Sequence, residues 1–470
     1  MSLHIVILAA GRGTRMHSPF PKVLHPLAGR PLLAHVIQTA QELAPDVMHI
    51  VLGYGADQIQ QYFTNHDDLF RTHAGKKPEL NWVMQAEQLG TGHAVAQALP
   101  YIPDNSRILV LYGDVPLITA TSLLSMLQQT SIDEVAVLTA RLSDPQGYGR
   151  IVRDSASNTI IAIIEQRDAT PEQCAIDEIN SGIMLVPKRA LTQWLQQITN
   201  DNAQGEYYLT DIIKLAVNDS VAIRGITLSD VSDIQGVNNR EQLAQVERSY
   251  QLRVAQRLMN QGVTLFDPHR FDVRGELEVG QEVTIDINTI FEGHVVLGNN
   301  VTIGPNCLLS NVKVEDHSII KANSVLEDCT VGRECTVGPF ARLRPGTLLK
   351  AHAKVGNFVE IKKATIGENS KVSHLSYIGD ATIGKDVNVG AGTITCNYDG
   401  YSKFQTVIED GAFIGSDTQL VAPVVIGRNA NIAAGSTVRK DAPAEQLTVT
   451  TRLQQRTVPG WKRPQKDEEI

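Results

Sequence analysis

Arg344 and Lys362 stand eighteen positions apart in a stretch where an aliphatic residue returns at every sixth place: Val331, Val337, Leu343, Leu349, Val355 and Ile361. A period of six fits neither a helix nor an ordinary sheet; it marks a solenoid built of three short strands per coil. Three sixes make a coil of eighteen, which stacks Arg344 on Lys362 at about 4.8 Å, the spacing of neighbouring strands. Like charges opposed across strands repel, so the pair suits an anion held between them, the plain alternative being two splayed, solvated side chains. In "SKVSHLSYIGDATIG", His374 and Tyr377 fall close to the same face. A histidine beside a bound phosphate can act as a general base, and a histidine on a solenoid can equally be a solvated residue. The segment "ITCNYDGYSKFQT" breaks the period between Thr395 and Ile408, which predicts a loop that leaves the solenoid and could complete the site. In a second run of six (Ile414, Leu420, Ile426, Ile432, Val438), Ser416 and Ala434 lie one coil apart and would leave a shallow groove for a thin, extended ligand.

A second group of residues opens the chain. In "ILAAGRGTRM" a buried strand runs into Gly11 and Gly13, whose turn leaves amides free beside Arg12 and Arg15, a setting for an anion. The loop lacks the lysine and hydroxyl of a P-loop and the third glycine of a dinucleotide fingerprint, and an ordinary strand-to-helix turn with solvated arginines stays open. Asp114 ends the strand of "LVLYGDVP", where a carboxylate can hold magnesium or cap a turn. "QAEQLGTGHA" supplies the Gln85 amide and a Gly90–Thr91 turn suited to a base edge, while "GYGR", Glu165 and "EINSGI" add loop residues that could hold sugar hydroxyls.

The elements behind these residues follow two grammars. To about residue 235, β-branched runs alternate with helical stretches, which implies a parallel sheet with helices on both faces and ligands at the carboxyl ends of its strands. Between about 238 and 262, Leu243, Val246, Tyr250, Val254 and Leu258 recur at spacings of three or four, the pattern of an amphipathic connecting helix. Looser hexads carry the solenoid back to about 275, and the tail "WKRPQKDEEI" has little to bury.

A chain of 470 residues is long enough for two or three domains. With 42 Lys and Arg against 51 Asp and Glu, the net charge of -9 argues against a broad nucleic-acid surface. Five cysteines (174, 307, 329, 335 and 396), odd in number and without a CxxC pair, fit reduced thiols better than a disulfide framework or a zinc site. The first apolar run is too short for a secretory signal and no stretch reaches the length of a membrane span, so a cytoplasmic protein is expected.

Nearly the whole chain resembles the bifunctional bacterial enzymes that acetylate glucosamine 1-phosphate and then uridylylate the product to UDP-N-acetylglucosamine, a precursor of peptidoglycan and lipopolysaccharide. The resemblance rests on "LAAGRGTRM", "PKVLHPLAG", "QAEQLGTGHA", "YGDVPL", "GYGRI", "QGEYYLTD", "GVNNR", "PFARLRPG", "VGNFVEIKKA", "GAGTITCNYDG" and "GSDTQLVAP". It implies an α/β protein with a Rossmann-like nucleotidyltransferase domain over 1–237, a connecting helix over 238–262, a left-handed parallel β-helix of hexapeptide repeats over 263–455, and a tail over 456–470. Homotrimers with acetyltransfer sites between subunits are implied too.

By the same resemblance, the glycine loop would hold the phosphates of UTP, with Leu8 and Gly11 lining the pocket and Arg15 and Lys22 neutralising charge. Gln85, Gly90 and Thr91 would read uracil, Gly149, Glu165 and Asn180 would contact N-acetylglucosamine, and Asp114 and Asn238 would bind Mg2+. In the second half, Arg344 and Lys362 would bind the phosphate of glucosamine 1-phosphate. His374 would accept a proton from its amine, supported by Glu360. Tyr377, Asn388, Asn397 and Tyr398 would shape the sugar and acyl site, and Ala391, Ser416, Ala434 and Arg452 would contact acetyl-CoA. Arg12 stands where the family commonly has lysine, and the spacing before Arg452 is slightly long. Two other readings remain on the residues alone. One is a nucleotidyltransferase whose solenoid only regulates or oligomerises, which gives no reason for His374 beside the Arg344/Lys362 stack. The other is a nucleotide-binding scaffold, which gives none for Asp114 and Asn238.

Overall fold

The computed structural model describes residues 2–66 and 79–450; Arg452 and the expected tail lie outside the described residues. The chain divides into two compact units, Met1–Val254 and Ala255–Ile470.

The first unit is a mixed sheet built on β1 (Leu3–Ala9), β2 (Val47–Leu52), β3 (Leu80–Met84), β4 (Arg107–Tyr112), β5 (Val135–Arg141), β6 (Arg150–Arg153), β7 (Ile160–Ile164), β8 (Glu178–Pro187) and β9 (Ile223–Thr227). The main path runs β9-β5-β8-β4-β1-β2-β3, and the β6–β7 hairpin joins it through β8. β1 shows why its sequence is apolar without alternation: Ile5, Ile7 and Ala9 enter the core on one face, Val6 and Leu8 the core on the other. The sheet is parallel except at β8 and the hairpin, for β8 runs antiparallel to both β4 and β5. The sheet is thus parallel-rich, with β8 and the hairpin as exceptions to the parallel order that alternating strands and helices imply. A short hairpin rather than a crossover helix feeds β8, so the strand enters in the opposite sense. Its start, with Asn180, therefore lies at the edge where β1, β3 and β4 end.

The amphipathic stretch is α1 (Arg240–Asn260). Val246 is fully buried with Met16, Leu27, Leu32, Leu117 and Val237, and Leu243 and Tyr250 pack on that cluster. Arg253 fixes the helix through Leu117 O, Asp230 and Asp233.

The second unit is a parallel β-helix. Its ladder starts at Thr264–Leu265, earlier than the hexads suggest, because Phe271 and Val273 fill the first coil without a repeat-like spacing. Val331, Val337, Leu343, Leu349, Val355 and Ile361 are all 0 % exposed, as are Ile414, Leu420 and Ile426. Leu343 pairs with Ile361 eighteen residues on, but Ile361 pairs with Ile378 only seventeen on. The lost residue comes out of the corner between the second and third strands, where Lys363 and Asp380 turn the chain at φ 45°. The coil that follows is lengthened: Val389 pairs with Ile414, and residues 397–405 leave the ladder between the strands Ile394–Cys396 and Thr406–Ile408.

Candidate active sites

At the carboxyl end of β1, Gly13 has φ 65°, and a Cβ there would meet Lys22 Cβ at 2.7 Å. Gly13 is thus the residue that lets the loop close onto Lys22, whereas Gly11 faces open space and leaves room rather than shaping the turn. The amides of residues 11–15 make no hydrogen bond among the described residues, and Arg12 and Arg15 are exposed beside them. Buried Met16 anchors the short helical turn Thr14–Met16. Leu8 is packed in the sheet core, with its carbonyl taken by Gly113 N, so it supports the loop from below.

The Lys22 ammonium donates to the Asp114 carboxylate and to Asn238 Oδ1 at 3.3 Å. Residues from three distant segments thus converge on one point, helped by Val237 N bonding Asp114 O at 2.9 Å. Asn238 precedes α1 rather than starting it, and its amide is capped by Gln242 Oε1. Among the described residues no group of three or more His, Cys, Asp or Glu could hold a metal, so a cation here would rest on Asp114 and Asn238 and on oxygens brought by its ligand.

Beside this point lies a cavity of about 250 Å³ that brings together Thr91, Gly149, Glu165 and Asn180, with Tyr112, Tyr148 and Gly182. Asn180 is fixed by its own strand start, its N–H donating to Gly149 O and its Oδ1 accepting from Gly182 N. Glu165 accepts from the Thr210 hydroxyl at 3.1 Å. Burial pushes its carboxyl above the ordinary value, and Asp211 and Asp168 add to the shift. Buried Gln85 donates to Gly90 O, and Thr91 Oγ1 accepts from Leu209 N. Tyr148 and Gly182 fall within the "GYGR" and "EINSGI" segments marked in the sequence, while Tyr112 carries no periodic or charge signal that sequence reasoning could use.

On the solenoid, Arg344 and Lys362 stack in register, with Arg344 N bonding Ile361 O at 2.8 Å. Glu360 holds Arg344 Nη1 at 2.7 Å, raising the guanidinium pKa. Lys362 is lowered, first by Lys403 and then by Arg344. Lys403 was not singled out from the sequence, since a loop has no period; its charge within the segment that breaks the hexads was the available signal. The loop folds back through a Tyr398–Lys403 bridge, with Asp399 accepting from the amides of Tyr401 and Ser402. Buried Asn397 donates to Asp380 Oδ2 at 2.5 Å. Tyr377 stacks on Glu360, and a Cβ at Gly379 would lie 2.5 Å from the Tyr377 hydroxyl, so that glycine makes space for the ring.

His374 ends the strand Lys371–His374, on the other side of the corner at Leu375 from Tyr377. It is exposed, and its Nδ1 lies 2.8 Å from Asn357 Oδ1. Asn357 also went unremarked in the sequence, because a coil of eighteen misses a partner seventeen residues away. Successive backbone bonds, Leu375 N to Asn357 O, Gly392 N to His374 O, Asp417 N to Ala391 O and Gly435 N to Ser416 O, set Asn357, His374, Ala391, Ser416 and Ala434 in one column. The small residues thus lead from the histidine along the solenoid, and Asn388 lies beside them, in register with Lys371.

Family models match three stretches: the MobA-like NTP transferase domain over residues 5–205, the GMPPB C-terminal domain over 273–352, and the bacterial transferase hexapeptide (six repeats) over 405–440. Proteins named "Bifunctional protein GlmU" match end to end. That of Marinobacter nauticus is 53% identical over 464 residues, covering 99% of each chain. That of Legionella pneumophila is 54% identical over 473 residues, covering 100% of both, and that of Stutzerimonas stutzeri 52% over 466, covering 99% of this chain and 100% of its own.

Proposed function

This chain belongs to the GlmU family of bifunctional proteins, and from that premise we propose how its two sites divide the work. The protein is a bifunctional transferase. It acetylates glucosamine 1-phosphate with acetyl-CoA, then transfers UMP from UTP to N-acetylglucosamine 1-phosphate, giving UDP-N-acetylglucosamine and pyrophosphate. The observation that carries the assignment of the first step is the column in which His374, oriented by Asn357, heads a run of small side chains one coil turn from the stacked cations Arg344 and Lys362.

In the acetyltransfer site, Arg344, Lys362 and Lys403 bind the sugar phosphate, with Glu360 fixing the Arg344 fork. The amine attacks the thioester carbonyl, His374 Nε2 takes the proton, and the carbon–sulfur bond breaks to release CoA thiolate, which takes that proton and leaves as the thiol. Tyr377, Asn388, Asn397 and Tyr398 shape the sugar and acyl pocket; Ala391, Ser416, Ala434 and Arg452 contact CoA. His374 and the cations flank an exposed corner formed by Phe340, Phe358 and Leu375. A homotrimer with this corner covered by a neighbouring copy encloses the site.

In the uridylyltransfer site, Gly11 and the free amides, with Arg15 and Lys22, take the triphosphate of UTP, over a floor supported by Leu8. Gln85, Gly90 and Thr91 read uracil, and Gly149, Glu165 and Asn180 hold the sugar. The carboxylate of Asp114 and the amide oxygen of Asn238, already converging on the Lys22 ammonium, are the hard oxygen donors that Mg2+ prefers. Bound there, Mg2+ supplies charge neutralisation at the phosphates. The sugar phosphate oxygen attacks the α-phosphorus and pyrophosphate leaves, while Lys22 and Arg15 stabilise the growing charge. No helix among the described residues is long and apolar enough to cross a membrane, and the reading places the enzyme in the cytoplasm, where its phosphorylated substrates are.

The decisive assay is thiol release from acetyl-CoA by the full-length chain without UTP. Release that depends on glucosamine 1-phosphate supports the reading; its absence from folded protein would leave a nucleotidyltransferase alone.

A further inference from the structure

Arg150, the last residue of "GYGR", is 2 % exposed and forms no ion pair among the described residues. A guanidinium is costly to bury without a carboxylate, and here backbone and amide oxygens take that place. Its Nη1 donates to Tyr148 O, and its Nη2 to Gln166 Oε1 at 2.8 Å and, more weakly, to Cys174 O at 3.4 Å. Its Nε has no hydrogen-bond partner among the described residues. The same Gln166 Oε1 accepts from Gly147 N at 3.2 Å.

One planar fork therefore ties together the two chain segments that run on from the paired strands β6 and β7 into the cavity lining. Residues 147–149 and Glu165 line the cavity side by side, one step beyond the Arg150–Ile164 pair: a Cβ at Gly149 would sit 3.4 Å from Glu165 Oε1, and Gln166 stands just behind. Gly147 turns at φ 87° with space where a side chain would lie, and the tie on its own amide is the bond to Gln166. A lysine could keep the charge but would reach only one of the two segments at a time, since it lacks the fork.

We propose that Arg150 is a positioning residue for the sugar half of the uridylyltransfer site, setting the separation of Gly149 from Glu165 through Tyr148 and Gln166. The proposal rests on the assignment of that cavity to N-acetylglucosamine 1-phosphate. It places the effect of Arg150 on one substrate of two: among the described residues, the nucleotide side, built from residues 11–22, 85–91 and 114, shares no hydrogen bond with the fork.

The test is steady-state kinetics of pyrophosphate release by full-length Arg150→Lys and Gln166→Ala, with each substrate varied at saturating levels of the other. For Arg150→Lys the KM for N-acetylglucosamine 1-phosphate should rise about tenfold, the order expected for losing one charge-assisted bond, while the KM for UTP and kcat stay within about threefold of the parent. Gln166→Ala should move the same KM by a smaller factor. If both KM values stay put while kcat or the melting temperature falls, Arg150 is only a packed core residue and the proposal is overturned. Should Arg150→Lys fail to fold, an unchanged sugar phosphate KM in Gln166→Ala overturns it instead. Absence of pyrophosphate release from the parent would strike the assignment of the cavity, not the role of the fork.

Discussion

His374 Nδ1 lies 2.8 Å from Oδ1 of Asn357, the residue beneath it in the ladder. An amide oxygen only accepts, so His374 donates its Nδ1–H and presents a bare Nε2. Asn357→Ala should lower acetyltransfer kcat about tenfold, the loss of one orienting bond, and leave uridylyl transfer unchanged. Asn357→Asp should do something different. A carboxylate there stabilises the imidazolium, raises the histidine pKa and moves the acid limb of the kcat–pH profile to higher pH. An unmoved profile in the aspartate variant would mean that Asn357 does not orient the base.

Separate units predict separable activities. His374→Ala should cut acetyl transfer by at least about 100-fold, the lower range for general-base catalysis, with uridylyl transfer retained. Asp114→Ala, and excess EDTA on the parent enzyme, should abolish uridylyl transfer and spare thiol release. Loss of both activities in either variant, with circular dichroism unchanged, would refute the two-site division.

Lys403 presses on Lys362 from the loop and lowers its pKa. Lys403→Ala should therefore raise the Lys362 pKa, followed by NMR of the labelled ammonium. It should also raise the KM for glucosamine 1-phosphate about tenfold, as expected for one lost phosphate contact. A raised pKa with an unchanged KM would place Lys403 near Lys362 but away from the phosphate.

Acid should weaken the first unit. His35 and His49 are lowered by burial to about 4, and His49 shares a buried contact of 3.0 Å with His4. Above the ordinary value of 6.5 both states are neutral and nothing changes. As pH falls from there toward 4, the unfolded chain takes protons that the folded chain refuses. Stability then drops by about 1.4 kcal/mol per pH unit for each histidine. Urea unfolding at pH 7 and pH 5 should show the loss, and His49→Asn should lessen it; equal midpoints at the two pH values would contradict the argument.

The solenoid was legible because its core is periodic. Leu343 and Ile361 face inward, and Arg344 and Lys362, one place on, inherit their register. The same arithmetic failed at Asn357, since the corner at Lys363 takes five residues instead of six and shortens that coil, and a Lys or Asp at such a turn does not disturb the hydropathy. Lys403 sits outside the period altogether. In the first unit, the strands were visible as apolar runs, but their direction was not. β8 turns antiparallel because of the hairpin before it, and so Asn180 reaches the same edge as Asp114. The sugar cavity draws on residues from 91 to 210, and no local spacing links them. There only the resemblance, not periodicity, links them in advance.

The column from His374 through Ala391 and Ser416 to Ala434 is also a ruler. Three coil spacings, roughly 14 Å, separate its ends, so on the proposed assignment an acyl carrier would be selected by the length of its arm as well as by its head. A carrier too short to span the small side chains would bring the same acetyl group to the same histidine and hold it there for less time.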